Sequence, residues 1–422
     1  MRSTLLFLWL AASGGAATPP APQNGAGGGS IGLQELLRQA RRRNPEILRA
    51  KERWKSAQSL VLAAGTWDDP VFGFGKFDMN TPGGTARMWT YSARQKIPFP
   101  GKLTAQSELQ YHEARRAYDA YRGAELQVFS RVAAEYHKIL WITRSIAILD
   151  DEARVMDAVA RAAQAMLAAR KARADEPISA QLRAAELRND AIDKQGALGV
   201  EQQALKALLS LGAESPALNL KGEIFMPEPP DSLPSLLSAA KEHNPTISQT
   251  RHLMRHAEIL KKLRLLDFAP DFTLNYTAAE TNGMFSNMTS RADFTLPVWA
   301  WKQKGYLDSA LKHKEAARAA MRAAENDVLR DVASRLIDFK TQRALALRYQ
   351  MELVPLARSA FEIALKNYES GTYGFARLIQ TFEKLLSVRL AYVEKLHGVG
   401  RGWARLERAT GTELPLKEGS KK

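Results

Sequence analysis

The sequence contains no cysteine. Disulfides, thiolate metal centres and a lipid carried on cysteine are therefore excluded. It also lacks a membrane-spanning helix, since no segment offers the ~20 apolar residues that such a helix needs. Proline is missing from residues 103–171, and Gly123 is the only glycine there. A breaker-free stretch of that length is too long for a conventional bundle of short helices. Signatures of catalysis are missing as well. There is no nucleophile elbow or phosphate loop, and the glycines at 25–29 follow no strand that would make them a dinucleotide site. The chain reads as a protein that is not an enzyme and carries no cofactor or metal of its own.

The N-terminus signals export. Met1-Arg2, an apolar run from Leu5 to Ala12 and small residues up to Ala17 form a secretory signal peptide over 1–17. Residues 18–30, rich in proline and glycine, form a flexible leader. The formal charge of +15 would suggest nucleic acid for a cytosolic protein. Here the basic residues are scattered along helical stretches with acidic ones between them, as on solvated faces, so no nucleic-acid partner is expected. A negatively charged partner or membrane surface stays open.

What the chain does contain, it contains twice, about two hundred residues apart. Asn44-Pro45 and Asn244-Pro245 each open a helical stretch. Asp69-Pro70-Val71-Phe72-Gly73-Phe74 is echoed by Pro270-Asp271-Phe272-Thr273-Leu274-Asn275. The junction Ile97-Pro98-Phe99-Pro100-Gly101-Lys102 is echoed by Leu296-Pro297-Val298-Trp299, with Lys302 close behind. Self-similarity on this scale indicates a duplicated domain. The expected division is a first repeat over 31–212, a linker over 213–233, a second repeat over 234–412 and a basic tail over 413–422. Each repeat reads helix, strand, strand, long helix, helix.

The strands fall at about 68–79, 87–96, 268–279 and 290–297. Trp89, Tyr91 and Ala93 alternate with polar residues, as do Phe272, Leu274, Tyr276 and Ala278, and then Phe294 and Leu296. Between Val71 and Met79 two glycines blur the pattern. Alternation places the apolar groups on one face of a sheet. A soluble half-buried hairpin satisfies the pattern. So does a membrane-crossing pair, which the run lengths of about 9–11 residues and the polar linkers 80–85 and 280–290 favour. In the second case Trp89, Tyr91, Phe272, Leu274, Tyr276, Phe294 and Leu296 face lipid. Four strands cannot close a barrel, because about eight is the minimum. An open sheet in lipid leaves backbone groups unpaired, so several chains would have to share one barrel. Three chains give twelve strands.

The helices make up the rest. The run from Leu103 to about Lys171 predicts a helix about 100 Å long at 1.5 Å per residue. Its counterpart, from about Lys302 to Ser370, is interrupted by Pro355, which predicts a kink. Shorter helices follow at about 177–211 and 375–410, with Gly212 and Gly411 as their C-terminal stops. Helices of this length must pack along one another, as hairpins or as a tube.

These residues together resemble the TolC-like outer-membrane efflux protein family over essentially everything after the leader. The resemblance is carried by the two Asn-Pro starts, the Pro-Phe-Pro-Gly-Lys and Leu-Pro-Val-Trp junctions, the segment Tyr368-Glu369-Ser370-Gly371-Thr372-Tyr373, and Leu406-Glu407-Arg408-Ala409-Thr410-Gly411. The Pro-Phe-Pro-Gly-Lys form is most similar to the heavy-metal efflux branch. The resemblance implies a homotrimer with a twelve-stranded barrel in the outer membrane of a Gram-negative bacterium and an α-helical tunnel in the periplasm. It implies a passive duct whose partners are a periplasmic adaptor, an inner-membrane pump and outer-membrane lipid. Pro98, Pro100, Gly101 and Pro297 would be its barrel-to-helix junctions. The docking tip would lie at about 170–177 and 368–375, with Asp175, Glu176, Tyr368, Gly371, Thr372 and Arg377 as its residues. In the family the tip turns carry a glycine and then an aspartate. Here Arg377 stands about where that aspartate is common, and Ala172 takes the glycine place of the first turn. Asp175 and Glu176 are the acidic candidates, with the alternative that they simply favour the start of the next helix.

Two further groups bear on metal. His252 and His256 lie four apart on a predicted helix, each directly after an arginine (Arg251 and Arg255) and without the glutamate of a zinc-protease helix. Met284 and Met288, soft donors in principle, fall in a predicted outer loop. A soluble coiled-coil adaptor is the alternative to the duct. It accounts for the helices but not for a duplicated amphipathic strand pair.

Overall fold

A computed structural model describes residues 31–414, apart from 82–83, 221, 223–225, 230–231 and 282. The signal peptide, the leader and the end of the tail lie outside the described residues. In chain order the elements are α1 (Leu33–Arg43), α2 (Pro45–Ala64), β1 (Val71–Thr81), β2 (Gly84–Ile97), α3 (Lys102–Ala168) and α4 (Asp175–Leu208). The same order then repeats as α5 (Leu233–His243), α6 (Pro245–Leu266), β3 (Asp271–Thr281), β4 (Met284–Thr295), α7 (Ala300–Arg348), α8 (Val354–Glu369) and α9 (Phe375–Thr410). In the second repeat a π-helical turn, Tyr349–Leu353, separates α7 from α8 just before Pro355. The proline, lacking an N–H, sits where the regular ladder has already been broken.

The duplication reaches individual hydrogen bonds. Asn44 caps α2 by accepting from the amides of Glu46 and Ile47, and its Nδ2 donates to the Leu208 carbonyl at 2.8 Å. Asn244 caps α6 through the Thr246 amide, and its Nδ2 donates to the Ala409 carbonyl at 2.8 Å. Each asparagine thus serves two helix ends at once, the start of one helix and the end of the last helix of its own repeat. Proline follows at the first helical position, where the missing N–H costs nothing.

The four strands form one antiparallel sheet in the order β1-β2-β3-β4. Its central pair, β2 with β3, joins the two repeats. Among the described residues the outer edges of β1 and β4 carry no strand partner. The strands run further than the sequence indicates. The expected loop 280–290 is instead almost wholly strand, with Thr281 opposite Met284 and a register shift at Ala279/Glu280. Met284 and Met288 therefore belong to β4 rather than to an outer loop. Polar residues fit this strand because its pairing is satisfied by backbone, and the bulge absorbs the change of register. Leu296, expected within the strand, falls just past its end.

The helices pack side by side along α3, which is 67 residues long. One apolar core lies where α1 and α5 cross the long helices, and includes Leu36, Ile47, Val132, Leu205, Leu236, Ile247, Phe339, Val399 and Leu406. A second lies farther along, around Met156, Ala163, Ala180, Ala184, Leu187, Phe361, Leu378 and Phe382. The alanines of α3 and α4 let two backbones approach closely over a long distance. Two buried carboxylates tie helices together. Glu125 receives Arg41 at 2.7 Å and Arg122 at 2.5 Å, and Glu152 pairs with Arg389 of α9.

Helix α4 stops two residues earlier than Gly212 would make it. Ser210, at φ 54°, takes the left-handed position, and the Leu211 amide bonds back to the Lys206 carbonyl at 2.9 Å. The sequence pointed to the glycine, but the core around Leu205 and Leu209 sets the stop. In α9 the expected glycine does occupy the position, with Gly411 at φ 80°.

Candidate functional site

The first feature is the face of the sheet. The pairs Phe72↔Ala93, Phe74↔Tyr91, Ala93↔Tyr276, Ile97↔Phe272, Gln95↔Leu274 and Phe272↔Phe294 place all these side chains on one side. Trp89, Tyr91, Phe272, Leu274, Tyr276 and Phe294 therefore share a face, since cross-strand partners point the same way. Phe72 and Phe74 join them and are 76% and 68% exposed in the single chain. The sequence concealed these two because Gly73 and Gly75 break the apolar pattern. Those glycines lie on the other face, where an added Cβ would stand 2.4 Å from the Ser92 hydroxyl and 2.7 Å from that of Thr90. That second face carries Thr90, Ser92, Arg94, Thr273, Asn275, Thr277, Arg291 and Asp293 in register. Arg94 Nε donates to Asn275 at 2.9 Å, and Asn275 in turn to Asp293 at 2.6 Å. One side is apolar and aromatic, and the other is a polar hydrogen-bonded lattice. At the hairpin end of the apolar side lie Lys76, over the Trp89 ring, and Glu280, which accepts from Tyr91 at 3.2 Å.

The second feature is the junction. Gly101, at φ 95°, precedes α3 in the left-handed conformation that glycine adopts most readily. Pro98 and Pro100 lie just before it, and Pro297 lies between β4 and α7. The buried Lys102 ammonium reaches Asp271 at 2.8 Å and the Ala269 carbonyl at 3.3 Å, and the Phe99 amide donates to the same Asp271 oxygen. Asp271 opens β3, so this cluster holds the first repeat's strand-to-helix turn against the second repeat. Sequence reasoning singled out both residues as parts of motifs, but nothing local said that they meet.

The third feature is the far end of the helices. There α3 turns into α4, and α8 turns into α9. Tyr368 is buried and its hydroxyl donates to Glu176 Oε2 at 2.8 Å. Burial and the carboxylate together raise the Tyr368 phenol well above its ordinary pKa. Asp175 pairs with Arg173 at 3.2 Å in an exposed setting, and both acids lie in the first turn of α4. Arg377 lies over the Tyr373 ring at 5.1 Å, and Thr372 shares a hydroxyl contact of 3.0 Å with Ser370. Glu176 and Tyr368 are thus brought together, whereas Asp175, Thr372 and Arg377 each have other neighbours.

The glycine place of the first turn is not Ala172. Gly371, at φ 80°, is bracketed by bonds from its amide to Tyr368 at 2.9 Å and from the Thr372 amide to Asn367 at 2.8 Å. Arg170, at φ 59°, has the same pair of bonds, to Leu167 and from the Lys171 amide to Met166, both at 2.8 Å. Both turns end their helices in one hydrogen-bonded pattern, so Arg170 is the counterpart of Gly371.

Two amphipathic strand hairpins set on helices of this length define the class of fold, a mainly helical chain with one small antiparallel sheet. Residues 236–412 match the family described as outer membrane efflux protein. Over those residues the chain is similar to the TolC-like outer membrane efflux proteins. The chain is 21% identical over 327 residues to the cobalt-zinc-cadmium resistance protein CzcC of Cupriavidus metallidurans, covering 76% of this chain and 77% of that protein. Among solved structures it superposes on the channel protein CusC with a TM-score of 0.78 at 16% identity, over 90% of this chain and 92% of that one. It superposes on the outer membrane protein VceC of Vibrio cholerae with a TM-score of 0.75 at 18% identity, over 90% and 96%. At such identities the structural likeness speaks for the fold.

Proposed function

We propose that this chain is the outer-membrane duct of a tripartite efflux system and works as a homotrimer. The observation that carries the reading is the sheet, with one aromatic face, one polar face and two unpaired edges at β1 and β4. Lipid cannot satisfy the backbone groups of such edges, so a neighbouring chain must. Three copies joined edge to edge give a closed barrel of twelve strands, aromatic outside and polar inside. Trp89, Tyr91, Phe272, Leu274, Tyr276 and Phe294 then face lipid, as do Phe72 and Phe74, with Leu296 at the rim. Pro98, Pro100, Gly101 and Pro297 redirect the chain from barrel to tunnel. The division into repeats over 31–212 and 234–412 follows the same reading.

Conduction in this reading is passive. The polar lattice of Arg94, Asn275, Asp293 and Arg291 lines the barrel, and the helices continue the passage through the periplasm. The tip around Asp175, Glu176, Tyr368, Gly371, Thr372 and Arg377 meets a periplasmic adaptor, behind which stands an inner-membrane pump. The likeness to a cobalt-zinc-cadmium resistance protein favours heavy-metal ions as cargo.

The test is to fractionate cells and run the outer-membrane extract on a gel with and without boiling. A heat-sensitive band near three times the monomer mass is expected. A soluble monomer would refute the shared barrel and favour a periplasmic coiled-coil adaptor.

A further inference from the structure

We propose that His112 of α3 and His252 of α6 form a binding site for a borderline divalent cation (the class of Zn2+, Ni2+ and Cu2+) that clips the first repeat to the second. This site lies on the long helices, far from the tip, and does not depend on what the duct carries.

The two helices run antiparallel, since Lys102 lies near Ala269 at one end and Gly123 beside Pro245 at the other. Between these points the Nδ1 atoms of His112 and His252 face each other at 3.0 Å, with ring centroids 5.3 Å apart. Two ligands in a tetrahedral shell with bonds of about 2.1 Å stand about 3.4 Å apart, so a cation bridges the two nitrogens once they part by a few tenths of an ångström. A metal ion takes the place of the shared hydrogen once the proton leaves and each ring turns to aim its Nδ1 lone pair at a common point. Burial disfavours the charged form of both imidazoles. Burial lowers the pKa of His112, helped by His256 and Arg255, and it brings that of His252 down to about 4, with His112, Arg115 and Arg251 adding to it. The neutral ring is the form that binds metal.

Imidazole nitrogens suit the later divalent ions and not Mg2+ or Ca2+, which want oxygen. Among the described residues no group of three or more histidine, cysteine or acidic side chains is arranged to hold an ion, so water completes the shell. The electrostatic setting is mixed. Arg115, Arg251 and Arg255 oppose a cation, while Glu108 acts in its favour at His112 and Glu113 at neighbouring His256. Two nitrogens must therefore supply most of the affinity. His252 and His256 alone, four apart on α6, gave little reason to expect a site. The partner that makes one, His112, lies 140 residues away.

The experiment uses the full chain in detergent, stripped of metal and titrated calorimetrically with Zn2+ alone. One site per chain is expected, together with a rise in Tm at saturating Zn2+. His112→Gln and His252→Gln should each lower the affinity by more than the ~10–100-fold typical of losing an outer-shell partner. His313→Gln, at an exposed position, should leave it unchanged. Absence of binding in the unaltered protein, or equal binding in both glutamine variants, overturns the proposal. Should those variants fail to assemble, electron paramagnetic resonance of Cu2+ on the unaltered protein decides. Coupling to two nitrogens supports the site, and coupling to one or none refutes it.

Discussion

Tyr368 at the end of α8 donates its hydroxyl to Glu176 at the start of α4, at 2.8 Å, and so ties the two helix turns of the tip across 192 residues of chain. A buried hydroxyl on a carboxylate is worth about 1.5–3 kcal/mol, enough to hold one arrangement of the tip and little enough to be broken by a partner. Tyr368→Phe should leave the trimer band intact and make the turns at 169–174 and 370–374 more sensitive to limited proteolysis. Unchanged cleavage would mean that the bond does not brace the tip.

The two tip turns share a hydrogen-bond pattern but not a residue. Gly371 has open space around its missing Cβ, so only its φ of 80° resists substitution. Gly371→Val is therefore expected to cost about 1–2 kcal/mol, and to impair export while the trimer persists. Arg170, at φ 59°, bears the same backbone strain in its native form. Arg170→Gly should relieve it and raise the midpoint of denaturation. A loss of stability on Arg170→Gly, in place of the gain expected, would count against the equivalence drawn between them.

Gly411 is constrained twice. Its φ is 80°, and an added Cβ would stand 2.6 Å from the His243 carbonyl oxygen and 2.8 Å from the Asn244 Cα. Both contacts are backbone and cannot swing aside. Gly411→Ala should lower Tm more than Gly212→Ala, whose nearest neighbour would be the Ser215 hydroxyl at 3.9 Å. Thermal unfolding of the two variants side by side checks the ranking.

Stability should depend on pH in two opposing ways. Burial pushes the Glu407 carboxyl up to about 7, against amide and indole bonds from Leu414 and Trp403 that favour its charged form. A raised carboxyl contributes stability that is whole below the unfolded value of 4.5 and is lost as pH rises through 7. The full span is about 3 kcal/mol. Burial brings His137 and His397 down to about 4, so their contribution is whole above 6.5 and is lost as pH falls towards 4. Glu407→Gln should remove the falling limb between pH 4.5 and 7 and leave the acid limb in place. Tm in detergent across that range measures it. An unaltered falling limb would assign it to other groups, of which Glu135, also raised to about 7, is the first.

Some of the architecture is local and could be read directly. Asn-Pro at 44 and 244 caps and starts helices because a side-chain oxygen and a ring with fixed φ do so anywhere. The breaker-free stretch after Lys102 is one helix for the same local reason, and the alternation at Trp89–Ala93 and Phe272–Ala278 marks one face of a sheet. Where the reading went astray, a neighbour distant in sequence had decided the matter. Polar residues at 284–290 became strand because β3 lay alongside to pair them. Gly73 and Gly75 hid Phe72 and Phe74, and an added Cβ at either would crowd the Ser92 and Thr90 hydroxyls across the strand pair. Ser210 and Arg170 took the left-handed positions because packing fixed where α4 and α3 had to end. The sequence by itself determined the periodicities, the caps and the duplication, since these depend on residues within a turn or two of one another. Only the tertiary structure decided that Lys102 meets Asp271, Glu176 meets Tyr368 and His112 meets His252, because each pair joins one repeat to the other. Such contacts are set by how long helices and strands align, which no local pattern specifies.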